Sequence, residues 1–155
     1  FMPRSKRGRY EVLQWLTFQV ANVGPMFGQC GHFLGYAPRK IRYAMDRYRN
    51  ETLRLYGVMD RRLADVEYLA GAYSIADMAT WPWVRVRWLH KIDLAEFPNV
   101  ARWYDAIGQR PAVQRGVALL DQREKIGNPD EKAREALFGQ SQLTQGKARR
   151  VVRSR

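Results

Sequence analysis

Few side chains in this sequence are placed to do chemistry unaided. Arg47 lies one helical turn before Glu51 and stands among Tyr43 and Tyr48. An arginine held by a carboxylate can present its remaining donors to a ligand carboxylate as a planar fork. A solvated i,i+4 pair is the plainer reading of the same spacing. Cys30 lies two residues from His32, and a Cys near a His is what thiolate activation needs. On a helix, though, residues two apart point away from each other, so a small buried thiol is the default. Asp77 is a carboxylate close to Trp81, Trp83 and Trp88, but it follows Ser74 by three residues, where it can close a capping box. The tryptophans recur at helical spacing and read as core before they read as a ligand platform. There is no Gly-rich phosphate loop, no nucleophile elbow and no His-Glu-x-x-His. One Cys and two His, His32 and His90, exclude a disulfide framework and a thiolate zinc cluster. No catalytic residue and no metal ligand is assigned.

The elements that must position these residues come from a chain of 155 residues, enough for one domain or one domain with a tail. An apolar fraction of 46% with five Trp argues against disorder. The net charge of +12 is concentrated at the ends: residues 1–9 hold four basic and no acidic residues, and 139–155 hold five and none. The middle is close to balanced, so the ends read as solvated tails and a nucleic-acid partner is not expected. No apolar run approaches the roughly 20 residues of a membrane span, and the N-terminus lacks a secretory core. The expected home is a reducing cytoplasm. Because the chain starts at Phe1, it is read as a fragment.

Every strong pattern is helical. Residues 9–23 carry a wide apolar stripe including Tyr10, Leu13, Leu16, Val20 and Val23, and Gly24-Pro25 predicts a kink or break. Gly31, Gly35 and Pro38 mark a loop. Ile41, Met45, Tyr48, Thr52, Leu55, Tyr56, Met59, Leu63 and Val66 define one face of a helix of about 25 residues, with Arg47–Glu51 and Arg61–Asp65 paired on the other. Ser74 and Asp77 open an apolar helix read as central core, bent near Pro82. Pro98 and Pro111 are each well placed to start a further helix, the first burying Val100, Trp103, Tyr104 and Ile107. Asn128-Pro129 predicts the start of another, leading to Leu137-Phe138. The fold class is all-α: a bundle of five to six helices over 10–120, a peripheral helix within 121–138, and a basic tail at 139–155 expected to be disordered.

The segment Leu69-Ala70-Gly71-Ala72-Tyr73-Ser74-Ile75-Ala76-Asp77 resembles the central-helix motif of the C-terminal domain of glutathione transferases. Phe97-Pro98-Asn99, Trp103-Tyr104 and Arg110-Pro111-Ala112-Val113 match further along. Gln14-Trp15-Leu16, Gly24-Pro25-Met26-Phe27-Gly28-Gln29, Tyr36-Ala37-Pro38, Arg47-Tyr48, Asn50-Glu51-Thr52 and Arg54-Leu55-Tyr56 resemble the Nu-class and Ure2-like branch. Cys30-Gly31 departs from the Asn-His or His-His common there. The resemblance implies a two-domain parent in which a thioredoxin-like N-terminal half binds glutathione, the co-substrate, with residues 1–9 as the end of the linker. It implies that Arg47 helps hold glutathione, and that Gln29 and His32 line the co-substrate side. The chain is then the substrate-side domain of an enzyme that conjugates glutathione to an electrophile or uses it to reduce disulfides or peroxides, a homodimer when intact and inactive as this chain alone. The alternative is a non-catalytic interaction module.

Overall fold

The computed structural model describes residues 1–121 and 130–139, and every regular element among them is helical. The chain divides into two compact units, Phe1–Gln122 and Arg123–Arg155. No helix among the described residues is long and apolar enough to cross a membrane.

The first unit opens with α1 (Lys6–Phe18), capped by Ser5, whose Oγ accepts the Gly8 amide at 3.2 Å. Helical backbone then runs on through a π-helical turn (Gln19–Val23), α2 (Gly24–Gly31) and a second π-helical turn (His32–Tyr36). The chain does not break at Gly24-Pro25: Gly24 has φ −55° and ψ −58°, and its amide reaches back to the Gln19 carbonyl. Widening the turn just before Pro25 shifts the bonding register by one residue, so a residue without an N–H is accommodated. The loop expected from Gly31 is correspondingly short. Helical backbone continues to Tyr36, and the Ala37 amide donates to the His32 carbonyl at 2.7 Å before the chain becomes extended.

The long helix α3 (Arg42–Asp65, 24 residues) matches its periodicity, and Thr52, Leu55, Tyr56, Met59 and Leu63 are buried as the spacing requires. Fully burying a side chain of this size stabilises by about 1.5–3 kcal/mol. Its first turns lie outside the core, with Ile41 and Tyr43 exposed. The chain turns back at Gly71, whose φ of +84° suits glycine and strains other residues.

Ser74 and Asp77 form the expected capping box at the start of α4 (Ile75–Arg85), which runs through Pro82. Asp77 is fully buried and does more than cap. One oxygen accepts the Ser74 amide at 2.9 Å and the Ser74 hydroxyl at 3.2 Å; the other accepts the Leu69 amide and the Trp103 indole N–H, both at 2.9 Å. A single turn, α5 (Arg87–His90), and a 3₁₀ turn (Leu94–Glu96) lead to α6 (Pro98–Gly108) and α7 (Pro111–Asp121). Val100, Trp103 and Ile107 are buried on α6, and Tyr104 is half-buried beside them.

Helices α3 and α6 cap each other. Asp60 on α3 accepts the Asn99 and Val100 amides at 2.8 and 3.1 Å, supplying the cap that Phe97 cannot. Arg102 on α6 donates to the Leu63, Val66 and Glu67 carbonyls at the end of α3, at 2.7–3.3 Å. Both sets of bonds satisfy helix-end groups that have no partner within their own helix.

In the second unit the described residues form α8 (Glu131–Phe138). Its N-cap is Asp130, which accepts the Ala133 amide at 2.7 Å. The cap is thus two residues later than Asn128, which lies outside the described residues, as does the basic tail beyond Gly139.

Candidate functional site

The sequence-derived site residues lie on three neighbouring elements: α2, the π-helical turn after it, and α3. Gly24 and Gly28 on α2 lie against the Trp83 ring, and Gly31 against the His90 ring: a Cβ at these positions would stand in ordinary contact with those rings, 3.4–3.7 Å away. This glycine face presses α2 against α4 and α5. Gln29 stands exposed near the end of α2. His32 opens the following π-helical turn, half-buried, its ring edge-on to Phe33 with centroids 5.1 Å apart. Phe33 lies flat on Tyr48 of α3, with centroids 5.3 Å and ring planes 6° apart. His32 and the α3 turn that bears Arg47 are therefore joined through one aromatic stack.

Arg47 is exposed on that turn. The expected Arg47–Glu51 pair does not form. Arg54 takes Glu51 instead, through two bonds at 2.9 and 2.7 Å. Both i,i+3 and i,i+4 partners were in reach, and the two-pronged geometry favours Arg54. The Arg54 hydrogen bonds hold the Glu51 carboxyl below its usual range, and the Arg47 charge adds a smaller push the same way. Arg47 is thus left with its guanidinium unpaired among the described residues. Arg61 and Asp65 form no ion pair either; the pairs made on α3 include Arg42–Asp46 and, across to α1, Arg62–Glu11.

Cys30 is buried, and burial pushes its thiol up, opposed by the Thr52 hydroxyl and the Arg49 charge. That environment is one of a packed thiol, with burial disfavouring the thiolate. Two of the three tryptophans serve packing. Trp81 stacks on Tyr104 at 5.2 Å and donates to its carbonyl at 3.0 Å, and Trp83 fills the glycine face of α2; Trp88 is exposed.

His90 was not singled out by the sequence. It is buried edge-on to Phe27 at 5.1 Å, with Nδ1 unpartnered, and burial pulls its pKa down to about 4. Phe33 and Arg54 were also missed as parts of the site. The Glu51–Arg54 spacing was a signal for one; nothing local marked the other. No group of three or more His, Cys, Asp or Glu among the described residues could hold a metal ion.

No protein-family model matches the chain. The disulfide-bond oxidoreductase YfcG of Escherichia coli is 48% identical over 121 residues, which cover 77% of this chain and 55% of that protein. A glutathione transferase from Burkholderia graminis, solved with two glutathione molecules per subunit, superposes with a TM-score of 0.70 at 41% identity, covering 81% of this chain and 54% of that one. The glutathione transferase URE2P6 of Phanerochaete chrysosporium, solved with oxidized glutathione, gives 0.72 at 33% identity, covering 77% and 56%. The chain spans about half the length of the curated relatives it matches. With an all-helical unit whose α4 is opened by a serine–aspartate box, and with homologues and solved neighbours that are glutathione transferase family proteins, the chain has the fold of that family's helical C-terminal domain.

Proposed function

We propose that the chain is the substrate-side half of a glutathione-dependent enzyme that conjugates the tripeptide to an electrophile or uses it to reduce a disulfide or peroxide. The observation that carries this reading is the 48% identity to a disulfide-bond oxidoreductase. Solved relatives that hold glutathione support the choice of ligand. The residues present fit that ligand. Arg47 has donors left for a carboxylate, because Arg54 occupies Glu51. Gln29 offers an exposed amide at the end of α2, and His32 stands on the next turn. Phe33 and Tyr48 give a flat apolar wall beside them. Bound glutathione supplies the nucleophilic thiol; this half holds its carboxylate and shields the second substrate from water. Lowering the thiol pKa falls to oriented donors in a thioredoxin-like half. Homodimerisation of the intact protein belongs to the same proposal.

The test measures glutathione-dependent reduction of a model disulfide and a model peroxide, and conjugation of a model electrophile, by this chain alone and by the chain joined to whatever its gene encodes before Phe1. Turnover is expected only in the second case. Turnover by the 155-residue chain alone, or by neither, contradicts the reading.

A second reading, a non-catalytic interaction module, is favoured by one feature. Tyr10, Leu13 and Val20 on the first helical rod are 62%, 42% and 63% exposed, an apolar surface fit for a protein partner. Inactivity of both forms in the assay, with concentration-dependent association of the chain, would support it.

A further inference from the structure

The residues ahead of α1 are docked on the fold at both ends. At one end the Phe1 carbonyl accepts the Ile75 amide at 3.1 Å. Ile75 is the first residue of α4, and its N–H is among the donors a helix cannot satisfy itself. The next three amides are served by Ser74: its hydroxyl takes Ala76 at 3.3 Å, and its carbonyl takes Asp77 and Met78 at 3.1 and 3.2 Å. Phe1 therefore supplies the acceptor that the Ser74–Asp77 box leaves out. The Phe1 ring meets Tyr73 edge-on, centroids 5.7 Å apart. Tyr73 is itself held by the Arg110 guanidinium, 3.8 Å from its ring centre, and by Tyr68, edge-on at 5.4 Å. At the other end Ser5 caps α1, and Pro3 lies on Gly8 in the first turns of that helix. A Cβ at Gly8 would stand 2.9 Å from the Pro3 Cβ and 3.0 Å from the Ser5 Oγ, too close for either to stay in place.

Glycine is a poor choice within a helix unless something needs the space. Here the space is taken by Pro3. The segment is thus shaped at Gly8 and fastened at Ile75, and it ties the start of α1 to the start of the central helix. Its hold is shallow. The Phe1 side chain is 71% exposed, so little burial backs the hydrogen bond to Ile75. A contact with so few buried groups opens at lower cost than the core beneath it. We propose that residues 1–5 are a releasable strap: docked, it completes the start of α4; displaced at either end, it leaves Ile75 without an acceptor and loosens the first turn of that helix. A change in how the chain enters at Phe1 is then felt at the Ser74–Asp77 box through one carbonyl. The device is separate from the glutathione reading and shares no residue with it.

The experiment follows amide hydrogen exchange at Ile75 in the ¹⁵N-labelled full chain, as wild type, Gly8→Ala, Pro3→Gly and the double variant. In wild type the Ile75 amide should exchange about tenfold or more below the rate of an unprotected amide. Gly8→Ala pushes a methyl group into Pro3, and should speed Ile75 about tenfold and lower the melting temperature. The drop in melting temperature is the telling sign, because Ala for Gly within a helix ordinarily stabilises. Pro3→Gly removes the ring and frees the segment, and should speed Ile75 as well. With the ring gone, adding Gly8→Ala should neither speed Ile75 further nor lower the melting temperature, since the two positions act through one contact. An unprotected Ile75 amide in wild type overturns the proposal. So does a Gly8→Ala or Pro3→Gly variant in which Ile75 exchange is unchanged, or a Gly8→Ala effect of equal size with and without Pro3.

Discussion

Two regions of the helical unit use the same residue types to opposite ends. Around the start of α4 and the α3–α6 contact, each carboxylate and guanidinium is used up within the fold. Asp77 accepts four hydrogen bonds, Asp60 three, and Arg102 donates to three carbonyls. On the outer turns of α3, Glu51 is engaged by Arg54 and Arg47 faces solvent. The first region binds segments far apart in sequence and stabilises the unit without help. The second contributes little to the fold and keeps a cation available. A buried carboxylate here is architecture, and an exposed arginine is the group with donors to offer a ligand.

The contrast can be broken in order of expected effect. Asp77→Ala leaves four buried donors, the Leu69 and Ser74 amides, the Ser74 hydroxyl and the Trp103 indole, without their acceptor. It should cost about 3–5 kcal/mol in urea unfolding or prevent folding. A cost near that of a surface change would show that the clasp is dispensable.

The next effect is one of pH. Burial pulls the His90 pKa down to about 4 from the ordinary histidine value of about 6.5. Above the unfolded value the ring is neutral in both states and the stability is fully present. As pH falls from about 6.5 toward 4, the unfolded chain takes up the proton first, and about 3 kcal/mol is lost. Stability curves of wild type and His90→Gln should converge over that window; parallel curves would mean that the ring titrates normally.

Asp60→Ala removes a cap supplied from another helix and should cost about 1–2 kcal/mol by the same unfolding assay. Arg47→Ala should change stability by about 0.5 kcal/mol or less. If Arg47→Ala destabilised as much as Asp60→Ala, the division between architecture and binding face would fail.

Local features of this fold were legible. The Ser74–Asp77 box and the α3 stripe depend on residues a few positions apart, and both stand where their spacing puts them. What escaped was non-local or degenerate. Trp103 reaches Asp77 across 26 positions and Asp60 caps a helix 39 positions on, and neither has a sequence signature. The π-helical turns around α2 were missed because residue periodicity does not distinguish a one-residue shift in bonding register. Arg54 displaced Arg47 at Glu51 because two spacings on a helix are nearly equivalent and side-chain geometry chose between them. In the site, the elements bearing Gln29, His32 and Arg47 were readable; the Phe33–Tyr48 stack that joins them was not.

The most direct measurement is a calorimetric titration of glutathione into the protein with its upstream sequence in place, wild type against Arg47→Ala. The dissociation constant should rise about tenfold or more, the scale of one charged hydrogen bond, while the melting temperature stays the same. An unchanged dissociation constant would remove Arg47 from the site and contradict the assignment of this face to the ligand.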